Sequence, residues 1–549
     1  MSFARPFAHA SAAATGALLW LAACTTAPTG TWSAGPTPTL PQGEVVDLGG
    51  GASRRYVADT ALGAHVHTAL PLPAPPADSA EAFKAGPAVH GNRYGENRRF
   101  WPIQRSTEPG VVWQSPSAGG VYVTWLGAEL QQARTLSVPT ETDEVLAGAT
   151  ADAAGRIFVL LVAAGTDVKL GTRPTRLLRV RADGADGEAA VVEQATAQKA
   201  EKAGLNINVF GTTKQSTNQV AMATGTASDG KPIVGAIVAR KMHAAADGLN
   251  HQGAVTVVWD AETLEPRGKI AQSSSHSFEC FATTGSEGAL LGVDLGDNYP
   301  RGVHLHRWDE TGRSSRVVYT FKTAHGTSAK NPAGKTFPAY ETESAKQLYQ
   351  WSNDNSTYTE LGGVVETSAG LLVIFAGEND ALDNAKATGL HNAPRNLGAV
   401  LVRRDFGEAS KGTGPNVVTD DLVLPGGGAA EEGGFYTFGG KWTEQRNVGV
   451  RWLTNYVDLA SDNASRVKVL GLPDGRVAVL WERWTGKAYQ DSWAMVLQAD
   501  GTPQKGPLPL GNALRLGRRT DPFLWNGRLV VVGGDAAGQQ LLVDAFWAP

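Results

Sequence analysis

Residues 475–501 contain Gly475-Arg476, then Val477-Ala478-Val479-Leu480-Trp481-Glu482, and after a polar connection Trp493-Ala494-Met495-Val496-Leu497-Gln498-Ala499-Asp500-Gly501. Two runs rich in β-branched, aliphatic and aromatic residues, each too short for a helix, are bounded by turns in which Asp and Gly supply the positive-φ positions. This is the signature of an antiparallel hairpin. The opening half recurs at Gly119-Gly120 (VYVTWL), Gly155-Arg156 (IFVLLV), Gly230-Lys231 (PIVGAIV), Gly288 (ALLGVDL), Gly370 (LLVIFAG) and Gly527-Arg528 (LVVVGG). Second strands follow in LLRVRADG, VTVVWDAETLEP, HLHRWDETG and VLVRRDFG. The chain is therefore all-β and built from repeated meanders.

The opening glycines are spaced 36, 75, 58, 82, 105 and 52 residues apart, less evenly than in a strict WD40 array. The longer intervals contain insertions: 187–204, Ala/Glu/Lys-rich and expected to be helical; 323–359, polar; and 406–442, dominated by glycine and acids. Without them each unit approaches the ~40–50 residues of a propeller blade. Tryptophans that end strands (Trp125, Trp259, Trp308, Trp481) suit the wedge-shaped contacts between blades. The last strand, 541–546, is expected to close the ring on an early one such as 110–113, removing both free edges. The fold expected is a β-propeller of six to eight blades, with seven the central value, carrying loop and short helical insertions over residues 100–549. Residues 44–99 read as an irregular N-terminal segment. The alternative is two β-sandwiches divided near 322–358.

Composition narrows the function. With 49 Lys+Arg against 53 Asp+Glu, the net charge of -4 offers no basic surface for a phosphate backbone, so nucleic acid is not an expected partner. Zincin, nucleophile-elbow and EF-hand motifs do not occur, and the sequence implies no cofactor.

Residues 1–23 carry one basic residue, Arg5, and then an alanine-rich apolar run too short to span a bilayer, ending in Leu21-Ala22-Ala23-Cys24. These four residues resemble the bacterial lipobox. The resemblance implies a signal peptide over 1–23, a diacylglycerol anchor on Cys24, and a place in the cell envelope. Thr25 rather than Asp after the cysteine leans towards the outer membrane by the same resemblance. Residues 24–43, rich in Thr, Pro and Gly, form a tether. With Cys24 acylated, Cys280 is the remaining cysteine and no internal disulfide is available. Cys280 is read as a buried residue between blades.

Local likenesses to known repeats are partial. Trp259-Asp260-Ala261-Glu262-Thr263 is similar to the turn of quinoprotein-type repeats, with Leu264 where glycine is expected. Leu529-Val530-Val531-Val532-Gly533-Gly534 and Phe435-Tyr436-Thr437-Phe438-Gly439-Gly440 are similar to Kelch strands. They imply architecture and no ligand.

Acids fall repeatedly after the opening strands: Asp294 and Asp297, Glu378 and Asp380, Glu482, and Asp535. Equivalent strands in successive blades would bring them to one face, joined by Arg301 and Trp484, where they form a candidate ligand-binding surface. Two functions follow. The first is a lipid-anchored envelope binding or scaffold protein that presents this face to a protein or polysaccharide partner, as propeller lipoproteins of the outer-membrane assembly class do in general plan. The alternative is a glycan hydrolase or lyase using paired carboxylates on the same face.

Overall fold

The computed structural model describes residues 41–79, 100–163, 175–196, 220–320, 359–378, 394–404, 422–423 and 450–547, apart from gaps of a few residues within these spans. Among the described residues seven antiparallel sheets of four or more strands follow one another along the chain, and the short pair His243–Ala244 with Asn250–His251 stands apart from them. Blade 1 comprises Phe100–Gln104, Pro109–Gln114, Val121–Trp125 and Arg134–Val138; blade 2 comprises Glu144–Ala151, Ile157–Ala163, Arg176–Arg181 and Ala190–Thr196. Blade 3 is Val220–Thr226, Pro232–Ala239, Ala254–Asp260 and Ala271–Ser274, and blade 4 is Ser277–Thr284, Leu290–Gly296, Gly302–Asp309 and Gly312–Thr320. In blade 5, Thr359–Glu366, Leu371–Glu378 and Arg395–Val402 are followed by the short pieces Leu422–Val423 and Arg451–Trp452, both paired to Arg395–Val402. Blade 6 is Asn463–Gly471, Val477–Thr485, Ala488–Leu497 and Pro503–Gly511. The first strands of blades 1 to 6 touch in succession and so line the axis.

Blade 7 draws on both ends of the chain. Phe523–Trp525, Arg528–Asp535 and Gln540–Trp547 are extended outward by Gly63–Pro71, then Ala52–Thr60, then Val45–Gly49. The seven-bladed propeller expected from the repeats is present, and the two-sandwich alternative is not. The closing partner of the last strand differs from expectation: it is Gly63–Pro71, paired from His65↔Phe546 to Pro71↔Gln540, rather than 110–113, which sits inside blade 1. Residues 45–71, read as irregular, thus belong to the propeller.

Two further expectations are corrected. The glycine-strand motif forms the second strand in blades 2 to 7, but Gly119-Gly120 opens the third strand of blade 1. The insertion at 187–204 was expected to be helical, yet Ala190–Thr196 is the outer strand of blade 2, and 197–204 lies outside the described residues. Helix propensity is a weak preference, here overridden by the unsatisfied edge of Arg176–Arg181.

Seven apolar layers fill the spaces between successive blades, with Trp125 between blades 1 and 2, Trp259 between 2 and 3, Trp308 between 3 and 4, and Trp481 between 5 and 6. Trp125 also donates from Nε1 across the gap to the carbonyl of Ala182 in blade 2, at 2.6 Å. Cys280 is buried against Ala221 and Ile237 of blade 3, as expected. Leu264, standing where a glycine was expected, adopts the left-handed φ of 53° and is buried. Asp260 caps that turn by accepting from the amides of Glu262 and Thr263. The Gly533-Gly534 pair exists because residues 72–79 cross it. Ser79 exchanges hydrogen bonds with Gly534, and a Cβ on Gly534 would meet the Ala77 carbonyl oxygen at 2.1 Å.

The closure carries a buried polar latch. Asp544 Oδ1 lies 2.7 Å from His65 Nε2 and 2.9 Å from His67 Nδ1. Burial works against charge on Asp544, but hydrogen bonds from both imidazoles and their positive charge outweigh it and hold the carboxyl far below its usual range. For His67 burial again opposes the charge, and the bond and attraction of Asp544 prevail, raising its pKa. The raised imidazole stabilises the fold fully below about 6.5, its ordinary value, and this is lost as pH climbs through the folded value. The depressed carboxyl contributes above about 4 and loses its contribution as pH falls through its folded value. Asp544→Asn should therefore cost about 1.5–3 kcal/mol of unfolding free energy between pH ~4 and ~6.5, with a smaller deficit once the pH has risen through the folded value of His67. Urea unfolding of both proteins across pH checks this.

Candidate functional site: a charged channel closed by one loop

The axial strand of blade 7, Phe523–Trp525, is only three residues long. The connection 512–522 that precedes it carries Arg518 to Glu279 on the inner strand of blade 4, Arg519 to the inner strands of blades 5 and 6, and Arg515 to Glu482 on the second strand of blade 6. Glu482 fastens it. Its Oε1 accepts from the Leu516 amide at 2.7 Å and from Arg515 Nε at 3.2 Å, and lies 3.4 Å from Arg466 Nη1. Its Oε2 accepts from Trp484 Nε1 at 2.9 Å. Arg466 reaches this point because a bulge between Ser465 and Lys468 turns the strand, leaving Arg466 at φ 52°. The guanidinium groups of Arg466 and Arg515 lie over the Trp484 ring at 5.3 and 5.8 Å.

Deeper in the channel, Glu279 on the inner strand of blade 4 performs a similar task. Its Oε1 accepts from Arg518 Nε at 3.2 Å and stands 3.7 Å from Arg519 Nε, while Oε2 accepts from the Leu361 amide at 2.8 Å. Arg519, itself at φ 55°, donates to the Gly362 carbonyl at 2.8 Å and to Asp521 at 3.3 Å. Its Nη1 and the hydroxyl of Thr520 are buried without a hydrogen-bond partner among the described residues. The channel thus keeps donor capacity for a water or for a ligand's oxygen. Glu360 accepts from Ser465 Oγ at 2.9 Å. Burial alone would raise Glu360, but the charges of Arg518, Arg395 and Lys468 overcome it and lower its pKa. Lys468 is pushed down to about 7, first by burial and then by repulsion from Arg519.

Where this network meets the opposite end of the axis, a cleft of about 390 Å³ opens between blades 1, 2, 3, 4 and 7. Ile103, Met222, Phe281 and Phe523 supply apolar walls, with Thr150, Asp152 and Asp521 among the polar ones. Asp152 is held by the amides of Ala154 and Arg156 and by Arg156 Nε. The volume suits a small molecule, a sugar unit or one side chain.

The sequence-derived surface is distributed differently from this site. Glu482 and Trp484 are buried in the loop anchor. Glu378 is buried opposite Arg395, and its carbonyl accepts from the Tyr319 hydroxyl at 2.8 Å. Asp535 accepts from the amides of Ala537 and Gly538 in a turn. Asp294 is buried within blade 4, cross-strand from His304. Cys24, Asp297, Arg301 and Asp380 lie outside the described residues. The sequence reading missed Glu279, Glu360, Lys468, Arg518 and Arg519. The Arg515-Leu516-Gly517-Arg518-Arg519 run was the available signal, being a dense basic stretch ahead of a hydrophobic strand.

Two outcomes test the network. Glu482→Ala leaves the Leu516 amide without its acceptor and removes the carboxylate beside Arg466 and Arg515, and should cost about 3–5 kcal/mol, whereas Glu482→Gln keeps an acceptor and should cost less, as read by denaturant unfolding. Lys468, its pKa lowered by the fold, makes the protein lose stability as pH falls from about 10.5 towards 7, because the unfolded chain takes up the proton first. The stability of Lys468→Met relative to the parent should therefore rise across that interval on lowering the pH.

No protein-family model and no curated protein sequence matches the chain. Among solved structures it is similar to the WD40 domain of Toxoplasma gondii coronin, at 10% identity and TM-score 0.38, covering 88% of this chain and 89% of that one. It is also similar to a protein of unknown function from Dyadobacter fermentans, at 11% identity and TM-score 0.34, covering 75% and 99%. A third is the SapL1 lectin in complex with alpha methyl fucoside, at 11% identity and TM-score 0.30, covering 76% and 99%. Likenesses this faint carry no argument about function; the chain is a seven-bladed β-propeller on the pairing of its own strands.

Proposed function

We propose that this chain is a lipid-anchored binding protein of the bacterial envelope, held at the outer membrane through Cys24, whose axial cleft engages a protein or polysaccharide partner. The observation that carries the reading is the cleft itself. It is shared by five blades, walled by apolar side chains, and floored by Asp521 beside Arg519, whose Nη1 is unspent among the described residues. An apolar wall with a few fixed polar groups is the composition of a recognition site. Glu482, offered by the sequence for acid-base chemistry, is engaged by four donors that secure the loop 512–522, a role in architecture.

The test is mild cross-linking of the full lipidated protein in its own envelope, followed by identification of what co-purifies. Ala153→Trp, on the exposed rim of the cleft, narrows it without entering the core. A near-stoichiometric envelope protein or polysaccharide that is lost in Ala153→Trp is the expected result. Turnover of an envelope glycan by the purified protein, abolished by Asp521→Asn, would replace the binding reading with the hydrolase or lyase one.

A further inference from the structure

Blade 4 holds a constellation that the channel does not use. Asp294 on the second strand is the cross-strand partner of His304 on the third, and His306, two residues on, shares the same face by the period-two alternation of a strand. One ligand atom from each of the three side chains falls within 4.8 Å of the others. His306 Nε2 stands 3.0 Å from Asp294 Oδ1, and His304 Nδ1 stands 3.7 Å from the same oxygen. The two imidazoles are 6.1 Å apart between centroids and nearly perpendicular, at 83°. All three side chains are buried, on the face turned towards Ala221 and Ile237 of blade 3.

We propose that Asp294, His304 and His306 bind a divalent first-row transition metal ion, with zinc the best fit. Tetrahedral coordination at about 2.0–2.1 Å places donor atoms about 3.3–3.4 Å apart. The separations of 3.0 and 3.7 Å bracket that edge. Two imidazoles and one carboxylate form a borderline donor set that suits zinc better than the all-oxygen shells of calcium or magnesium. The outer shell is also present: Ser315 Oγ on the adjacent strand lies 2.8 Å from His306 Nδ1, so that nitrogen is engaged and Nε2 is turned to the common point.

The closing blade supplies a contrast. His65, His67 and Asp544 have the same composition, but both nitrogens lie within hydrogen-bond distance of one oxygen, at 2.7 and 2.9 Å, and the set makes a hydrogen-bonded latch. In blade 4 His306 Nε2 is at 3.0 Å from the shared oxygen, but His304 Nδ1, at 3.7 Å, is too far for a hydrogen bond and fits as a second ligand of one ion. Because the site is buried, the ion enters as the chain folds, and it ties the second and third strands of blade 4 together beneath blade 3.

The experiment uses the full chain produced in zinc-supplemented medium, with metal measured by mass spectrometry. The protein is then unfolded in chelator and refolded with Co²⁺, Zn²⁺ or neither. We expect about one equivalent of zinc per chain, the visible absorption of tetrahedral Co²⁺ after cobalt refolding, and a Tm several degrees higher for zinc-refolded than for metal-free protein. Asp294→Asn and His306→Asn should lose the metal, and His67→Asn should keep it. If either blade 4 variant fails to fold, the wild-type comparison decides alone. Wild-type protein with far less than stoichiometric metal, no cobalt spectrum and an unchanged Tm overturns the proposal. Metal retained in both folded blade 4 variants overturns it equally.

Discussion

The pairing of Gly63–Pro71 with Gln540–Trp547 is the constraint on which the ring depends. Each blade buries its faces against two neighbours, so a gap between any two blades exposes the apolar layer they share, and breaking the closing pair frees two strand edges. The closing contact joins His65 to Asp544 across 479 residues of chain. The entropy of closing so large a loop grows only with the logarithm of its length, so backbone pairing, a shared apolar layer and the His–Asp–His latch suffice. Cys280 is buried against blade 3, far from this seam, and closure relies on non-covalent contacts.

Much of the architecture was legible because blade periodicity is written in local signals. A glycine turn before a run such as Val477-Ala478-Val479-Leu480-Trp481 needs no distant information, and six of the seven copies mark equivalent second strands. Blade 1 broke the pattern because its second strand opens with Pro109-Gly110, so the motif fell one strand late. The closing partner was missed for a different reason. Strand order across the ends of a chain is decided by which edge remains open once the other blades have formed, and no spacing rule reports that. Ala190–Thr196 was misread because the Ala, Glu and Lys content of the surrounding segment satisfies helix propensity, while its own Val191 and Val192 and an adjacent sheet edge decide the outcome.

The site was less legible than the fold. Acids near strand ends attract attention in a sequence, but their role follows from long-range partners: Glu279 meets Arg518 across 239 residues, and Ser465 meets Glu360 across 105. The histidines of His304-Leu305-His306 announce a shared face by their spacing, yet Asp294 joins them only through strand register. Burial then converts these charges from solvated surface groups into structural ones. Arg466 and Arg519 adopt left-handed backbone conformations that cost free energy, which their carboxylate, carbonyl and ring contacts offset.

The order of strands in blade 7 has a geometric consequence for attachment. Because Val45–Gly49 is the strand farthest from the axis, the chain preceding it leaves the disc at its perimeter. A propeller gripped there hangs like a coin held by its rim. A body held there would carry both flat sides clear of the point of attachment.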